Sequence, residues 1–157
     1  MKVLIFSDSH GNTENMARVV EKAPPNAILH LGDGARDAAA LEARFPQIPL
    51  LCVRGNCDDP LCNRPAERLL TWKGARIYMT HGHLYRVKEE YMNAVDAACA
   101  READVLLFGH THLPMCARIR GIWVLNPGSI RDSRRPTYGL MQIEDSGVRC
   151  ETRATWE

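Results

Sequence analysis

Five short segments of the chain are dense in side chains that bind metals. They are Asp8-Ser9-His10, Gly32-Asp33-Gly34, Gly55-Asn56-Cys57-Asp58, Thr80-His81-Gly82-His83 and Gly109-His110-Thr111-His112. Of the 6 histidines, all but His30 lie in these segments, and His30 stands just before Asp33. Carboxylate, imidazole and amide oxygen together suit Mn²⁺, Fe or Zn²⁺ better than Ca²⁺ or Mg²⁺, which favour all-oxygen shells. A carboxylate such as Asp33 can bridge two ions, one oxygen to each. Two ions about 3.5–4 Å apart can activate a water and clamp a phosphoryl oxygen at once. The glycines beside these residues allow tight turns and close backbone approach. Taken singly, Asp-x-His is common by chance, Gly-Asp is a turn, and Asn56 is a turn former. His110-x-His112 says more, because a strand end can point both rings to one side. The ordered combination carries the reading of a metal site.

The elements that must position these residues are visible as alternating patterns. Residues 2–6 are a continuous apolar run, as in a strand covered on both faces. Asn12 is a candidate N-cap, and Met16, Val19, Val20 and Ala23 form one helix face that ends at Pro24-Pro25. A second strand, 27–31, runs into Gly32-Asp33-Gly34, and Ala38, Leu41 and Phe45 mark a second helix stopped by Pro46. A third strand, 49–53, ends at Arg54-Gly55-Asn56. This βαβαβ opening favours a parallel sheet. Residues 67–72 and 76–80 read as a hairpin around Lys73-Gly74, Val87, Tyr91, Val95 and Ala98 as a third helix, and 104–108 as a buried strand. Strand-like pieces follow near 115–120, 122–125, 138–143 and 148–153, so the second half is richer in antiparallel strands. No histidine falls on an expected helix, and all five segments follow strands. In open α/β sheets ligands bind beyond the carboxyl ends of the strands, which places the five on one edge.

The whole-chain properties set bounds. The 157 residues fit one domain spanning 1–157. A net charge of +1 gives no electrostatic argument for wrapping nucleic acid or lying on an anionic membrane. The basic run from Arg131 to Arg135 reads either as a solvated loop or as a rim that steers phosphate. No stretch approaches the roughly 18 apolar residues of a membrane span. The N-terminal apolar run is too short for an export signal, which implies a cytoplasmic location and reduced thiols. The 6 cysteines include no CxxC pair, which argues against a zinc ribbon.

Taken in order, the five segments resemble the calcineurin-like metallophosphoesterase signature. With the Gly-Asn-Cys-Asp segment and Asn126-Pro127-Gly128-Ser129, the chain looks most like the compact YfcE-type phosphodiesterases of that family. The resemblance runs from residue 3 to about residue 143. It implies an α/β fold, a four-layer α-β-β-α sandwich of two mixed sheets. It also implies one metal held by Asp8, His10, Asp33 and His112 and a second held by Asp33, Asn56, His81 and His110, with Asp33 bridging. Manganese is the leading expectation, with Zn, Fe or Ni as alternatives. A hydroxide between the ions would attack phosphorus in line, making the chain a metal-dependent phosphodiesterase acting on a small phosphate ester. Asp33, Asn56, His81, Cys57 and Asp58 are the expected catalytic residues.

One departure bears on that chemistry. Many family members carry histidine where this chain has Cys57, a residue thought to assist the leaving group. A thiol with a reference pKa of about 8.5 can donate a proton but is a poor cationic partner. That favours diesters with good leaving groups, while a small space-filling cysteine is the bland reading. Asp58 either orients its neighbours or caps a turn. His83 sits near the substrate or supports a ligand, and His30 is read as a satisfied core histidine. Arg54 or Arg131 could hold a phosphate oxygen. Three rival readings share the resemblance: a scaffold such as the retromer subunit of this fold, a nuclease, and a phosphomonoesterase. Every ligand position is filled, which argues against the scaffold. The short, near-neutral chain argues against nucleic acid as substrate. With no inserted cap, the site is expected to be open and shallow. The C-terminal strand-like segments could pair with another subunit in a homo-oligomer or close the second sheet.

Overall fold

Strand β1 (Lys2–Phe6) alternates its side chains between two buried faces, which is why the whole run is apolar. Val3 and Ile5 point into the space between two sheets, while Leu4 and Phe6 point outward under helices. The computed structural model describes residues 1–157. The other elements are α1 (Thr13–Lys22), β2 (Ala27–His30), α2 (Ala35–Arg44), β3 (Leu50–Cys52), β4 (Glu67–Trp72), β5 (Ala75–Thr80), α3 (Met92–Ala100), β6 (Val105–Leu107), β7 (Pro114–Ile119), β8 (Ile122–Pro127), β9 (Thr137–Glu144) and β10 (Gly147–Ala154). One sheet has the order β10-β9-β1-β2-β3 and the other β4-β5-β6-β8-β7.

The layers follow from what each element buries. Between the sheets lie Val3, Ile5 and Leu29 from one side and Ile77, Met79, Leu107 and Leu125 from the other. Met16, Val19 and Val20 of α1 and Ala38 and Leu41 of α2 cover the outer face of the first sheet. Val95 and Ala98 of α3 cover Tyr78, Leu106 and Val124 of the second. The architecture is therefore the expected α-β-β-α sandwich of two mixed sheets. Asn12 caps α1, its side chain accepting the Asn15 N–H at 3.0 Å.

Parallel pairing brings the metal-competent segments to one edge. Phe6 lies opposite His30, and His30 opposite Cys52, so β1, β2 and β3 end together. Met79 lies opposite Leu107 in the second sheet, so β5 and β6 end together too.

The structure corrects the sequence reading in three places. The third helix begins at Met92, not at Val87. His83–Tyr85 forms a 3₁₀ turn, and Arg86, at φ 54, interrupts the chain before the helix. Val87 is buried, but its N–H bonds Gly82 O, so its place in the apolar spacing comes from tertiary packing. His83 consequently sits in a helical turn after all. The C-terminal segments also divide differently than expected: β7 and β8 complete the second sheet, whereas β9 pairs antiparallel with β1 and completes the first. No helix is long and apolar enough to cross a membrane.

Candidate metal centre

The strand-end loops hold their polar residues in an uncommon backbone conformation. Asp8 (φ 55), His10 (φ 40), Asp33 (φ 56), His110 (φ 67) and His112 (φ 61) are all left-handed. Such conformations cost about 1–3 kcal/mol each and persist only where the surroundings impose them. They also correct the expectation for His110 and His112. Both lie in the loop after β6, and their rings part: His110 packs against His81 at 4.9 Å and His112 against His10 at 5.4 Å. Left-handed turns, not strand alternation, aim them.

Three overlapping donor groups result, one of them made by His10, Asp33 and Cys57. Asp8, His10 and His112 offer one atom each, all within 4.8 Å of one another, and Asp33, His81 and His110 do the same. Asp8 belongs at the centre of the first. Its Oδ2 accepts from Ser7 Oγ at 2.6 Å and from the His110 N–H at 3.1 Å. Its Oδ1 is buried and has no donor at all. That oxygen instead lies 3.2 Å from His112 Nε2, 3.8 Å from His10 Nε2 and 4.0 Å from His81 Nε2. A buried carboxylate oxygen without a hydrogen bond is costly, and a cation among these donors removes the cost.

Asp33 joins the groups through one oxygen. Its Oδ1 accepts the Cys57 N–H at 2.8 Å, and its Oδ2 lies 3.9 Å from His10 Nε2 and 3.3 Å from His81 Nε2. Oδ1 is thus held by the backbone, and Oδ2 is the oxygen nearer the imidazoles of His10 and His81. Burial raises the Asp33 carboxyl, but the His81 hydrogen bond and charge and the Cys57 amide outweigh it and hold it well below the usual carboxylate range.

The histidine tautomers fit metal binding. His81 Nδ1 donates to Leu31 O at 2.7 Å, which turns Nε2 toward Asp33, Asn56 Oδ1 (3.1 Å) and His110 Nδ1 (3.2 Å). Burial lowers the His81 pKa, yet the Asp33 hydrogen bond and the Asp8 and Asp33 charges raise it overall. These neighbours favour positive charge at Nε2, which a cation held there would supply. Burial and the neighbouring His81 bring His110 down to about 4, so its ring is a neutral donor.

Around these residues the loops are tied together by groups with no metal-facing atom. Asp58 accepts the N–H groups of Asp33, Gly34, Ala35 and Gly55. It thus fastens the β2–α2 loop to the loop after β3, so the expectation that it orients Asn56 and Cys57 becomes a specific backbone role. Gly55 is needed there: a Cβ would stand 2.1 Å from Asp33 Oδ1. His30 is fully buried, accepts the Gly32 N–H at Nδ1 (3.2 Å) and reaches Ser9 Oγ through Nε2 (3.0 Å). Ser9 Oγ donates onward to Asp37 Oδ2 at 2.6 Å. Ser9 and Asp37 were not singled out in the sequence. The only signal for Asp37 was an acid in the first turn of a helix that directly follows a candidate ligand.

The remaining candidates fall at the rim. Asn56 and Cys57 are exposed, and Asn56 Nδ2 contacts Cys57 Sγ at 3.4 Å. Cys57 Sγ also comes within 4.8 Å of ligand atoms of His10 and Asp33. His83 packs beside His81 with an unpartnered Nδ1 and belongs to none of the donor groups. Arg54 donates to Pro60 O at 2.8 Å and braces the loop after β3.

Comparison with known proteins identifies the family. Residues 1–146 match the model of the calcineurin-like phosphoesterase superfamily domain. The chain is 36% identical over 154 residues to the probable metallophosphoesterase YsnB of Bacillus subtilis, covering 94% of this chain and 88% of that protein. It is 30% identical over 168 residues to the phosphodiesterase YfcE of Escherichia coli K12, covering 90% of this chain and 87% of that protein. A crystal structure of a predicted phosphoesterase from Streptococcus pneumoniae superposes with a TM-score of 0.82 at 27% identity, covering 99% of this chain and 90% of that one. A metal-competent strand edge, an α-β-β-α sandwich and a match over most of the chain together place it: the protein belongs to the calcineurin-like phosphoesterase superfamily.

Proposed function

We propose that this phosphoesterase is a dinuclear-metal phosphodiesterase. The observation that carries the reading is the buried Asp8 Oδ1, without a hydrogen-bond donor among three imidazole nitrogens. Asp8, His10, Asp33 and His112 would hold one ion, and Asp33, Asn56, His81 and His110 the other, with Asp33 common to both. When bound, such a pair supplies a hydroxide nucleophile near neutral pH and positive charge for the phosphoryl oxygens, and Mn²⁺ suits this donor set.

The protein residues have separate tasks. Asp58 and the Ser9–Asp37 bond fix the loops, so the donors are held before any ion arrives. His81 Nδ1–H is committed to Leu31 O, which keeps the Nε2 lone pair turned inward. Burial and then the Asp33 hydrogen bond push the Cys57 thiol above its ordinary value, so Sγ keeps its proton at neutral pH. That proton is available to a departing oxygen. A weak neutral acid favours diesters over monoesters with poor leaving groups.

The test is hydrolysis of bis(p-nitrophenyl) phosphate and of p-nitrophenyl phosphate by metal-stripped protein, with and without Mn²⁺. The expected result is Mn²⁺-dependent cleavage, faster for the diester and abolished in Asp33→Asn. A protein that binds Mn²⁺ yet cleaves neither compound would overturn the proposal.

A further inference from the structure

Two grooves meet at His10. The larger, about 1030 Å³, runs past Cys57 along the start of α2. The smaller, about 690 Å³, lies between His10, Asn12, Asn15 and Arg131. A phosphodiester held at the metal centre has two arms, and each groove can take one. No phenylalanine, tyrosine or tryptophan lines either groove, so neither offers a platform for stacking a base.

Arg131 lines the smaller groove together with Glu14 and Asp132, and Arg134 and Arg135 follow in the same loop outside its lining. Arg131, Arg134 and Arg135 are exposed, and none of their guanidiniums pairs with a carboxylate within 4.0 Å. The nearby acids are already engaged. Glu14 faces Arg44 at 3.0 Å and Arg18 at 3.7 Å. Asp132 Oδ1 accepts the backbone N–H groups of Arg134 and Arg135, each at 2.8 Å. Asp132 offsets one of the three arginines, so the run from Arg131 to Arg135 keeps more positive than negative charge.

The loop is also fixed relative to the metal centre. Ser129 Oγ donates to the backbone oxygen of Asp8 at 2.8 Å and accepts the Arg131 N–H at 3.2 Å. The Ile130 N–H bonds Ser7 O at 3.2 Å, and Asn15 Nδ2 donates to Ile130 O at 2.9 Å. The backbone of Arg131 is thus two hydrogen bonds from that of Asp8.

We propose that Arg131, supported by Arg134 and Arg135, forms a subsite for a second phosphate, so that the preferred substrate is a phosphodiester bearing a further phosphate on one arm. This rests on the phosphodiesterase reading above. A guanidinium meets a phosphate with two parallel N–H donors, and unpaired cations beside a polar groove raise the local concentration of polyanions. Exposed charge pairs are individually modest, so the preference should be about tenfold and sensitive to salt.

The test uses thymidine 5′-(p-nitrophenyl phosphate) and the same compound phosphorylated at the 3′ oxygen, with the Mn²⁺-loaded enzyme. The 3′-phosphate is expected to lower KM about tenfold at low ionic strength, an advantage that shrinks as salt screens it. Arg131→Ala should bring the two substrates to nearly equal kcat/KM, the double variant Arg134→Ala/Arg135→Ala should narrow the gap partway, and Arg131→Lys should keep part of it. Equal KM values for both compounds in the unmodified enzyme, or a ratio unmoved by all of these substitutions, would overturn the subsite. Calorimetric titration with thymidine 3′,5′-bisphosphate and thymidine 5′-monophosphate separates the two proposals. Tighter, Arg131-dependent binding of the bisphosphate without hydrolysis of either ester would support the subsite while removing the phosphodiesterase reading.

Discussion

Asp58 holds Asp33 by its backbone: Asp58 Oδ2 accepts the Asp33 N–H at 2.9 Å. The same carboxylate accepts from Gly55 at 2.8 Å, Gly34 at 2.9 Å and Ala35 at 2.8 Å, so one side chain joins two loops that contribute to the metal centre. Asp58→Asn replaces one acceptor oxygen with an NH₂ group facing backbone donors. Losing two of four charge-assisted bonds should cost about 2–3 kcal/mol. Urea unfolding would show it as a lower midpoint at an unchanged slope. Mn²⁺ affinity should fall with it. A wild-type midpoint would mean that Asp58 is not what binds these loops together.

Metal removal should be visible in thermal stability. Saturating Mn²⁺ at about 100 times its Kd contributes about 2.7 kcal/mol, or roughly 5–10 °C in Tm for a chain this size. Asp8→Asn is expected to behave in the opposite sense when metal-free. Its amide NH₂ can occupy the place of the unpartnered Oδ1 and donate to the facing imidazoles, so Tm should match or exceed wild type. The Mn²⁺-dependent rise should then be lost. Calorimetry with chelator and with Mn²⁺ reads both, and an equal rise in the variant would remove Asp8 from the centre.

His30 should make stability fall in mild acid. Burial outweighs the surrounding Asp58, Asp8 and Asp37 charges and lowers its pKa from 6.5 to about 4. The unfolded chain therefore takes up the proton first. The contribution is complete above pH 6.5 and declines as pH drops toward 4, by up to about 1.4 kcal/mol per pH unit and about 3 kcal/mol in all. Imidazole NMR of the metal-free protein should show His30 neutral at pH 5.5, with urea midpoints dropping over the same range. A ring that titrates above pH 6 would contradict this.

Cys57 should matter only when the leaving group needs a proton. Cys57→Ser is expected to leave turnover of bis(p-nitrophenyl) phosphate within a fewfold of wild type. An alkyl p-nitrophenyl diester cleaved on its alkyl side should slow by about tenfold or more. Cys57→His, which supplies a better acid, should raise the rate on monoesters. If serine and cysteine enzymes cleave both kinds of bond alike, the thiol is a filler.

Much of this protein was legible in its sequence because chemistry and secondary structure share the same short segments. An apolar run covered on both faces must be a strand, and a polar, glycine-rich segment must follow it. Lys2–Phe6 with Asp8-Ser9-His10, and Ala27–His30 with Asp33, obey that logic directly. The candidates for holding metal were therefore readable from type and order. Local sequence did not determine how they meet. The left-handed turns that send His110 and His112 to different partners are imposed by packing, since each is unfavourable on its own. Which Asp33 oxygen faces the centre depended on the Cys57 N–H, 24 residues away in the chain. The helix expected from Val87 failed because Val87 is buried by a turn, a tertiary contact that mimics helical spacing. Ser9, Asp37 and Asp58 acquire their roles only when separate loops come together, because a backbone N–H leaves no mark in a sequence to show which carboxylate it will find.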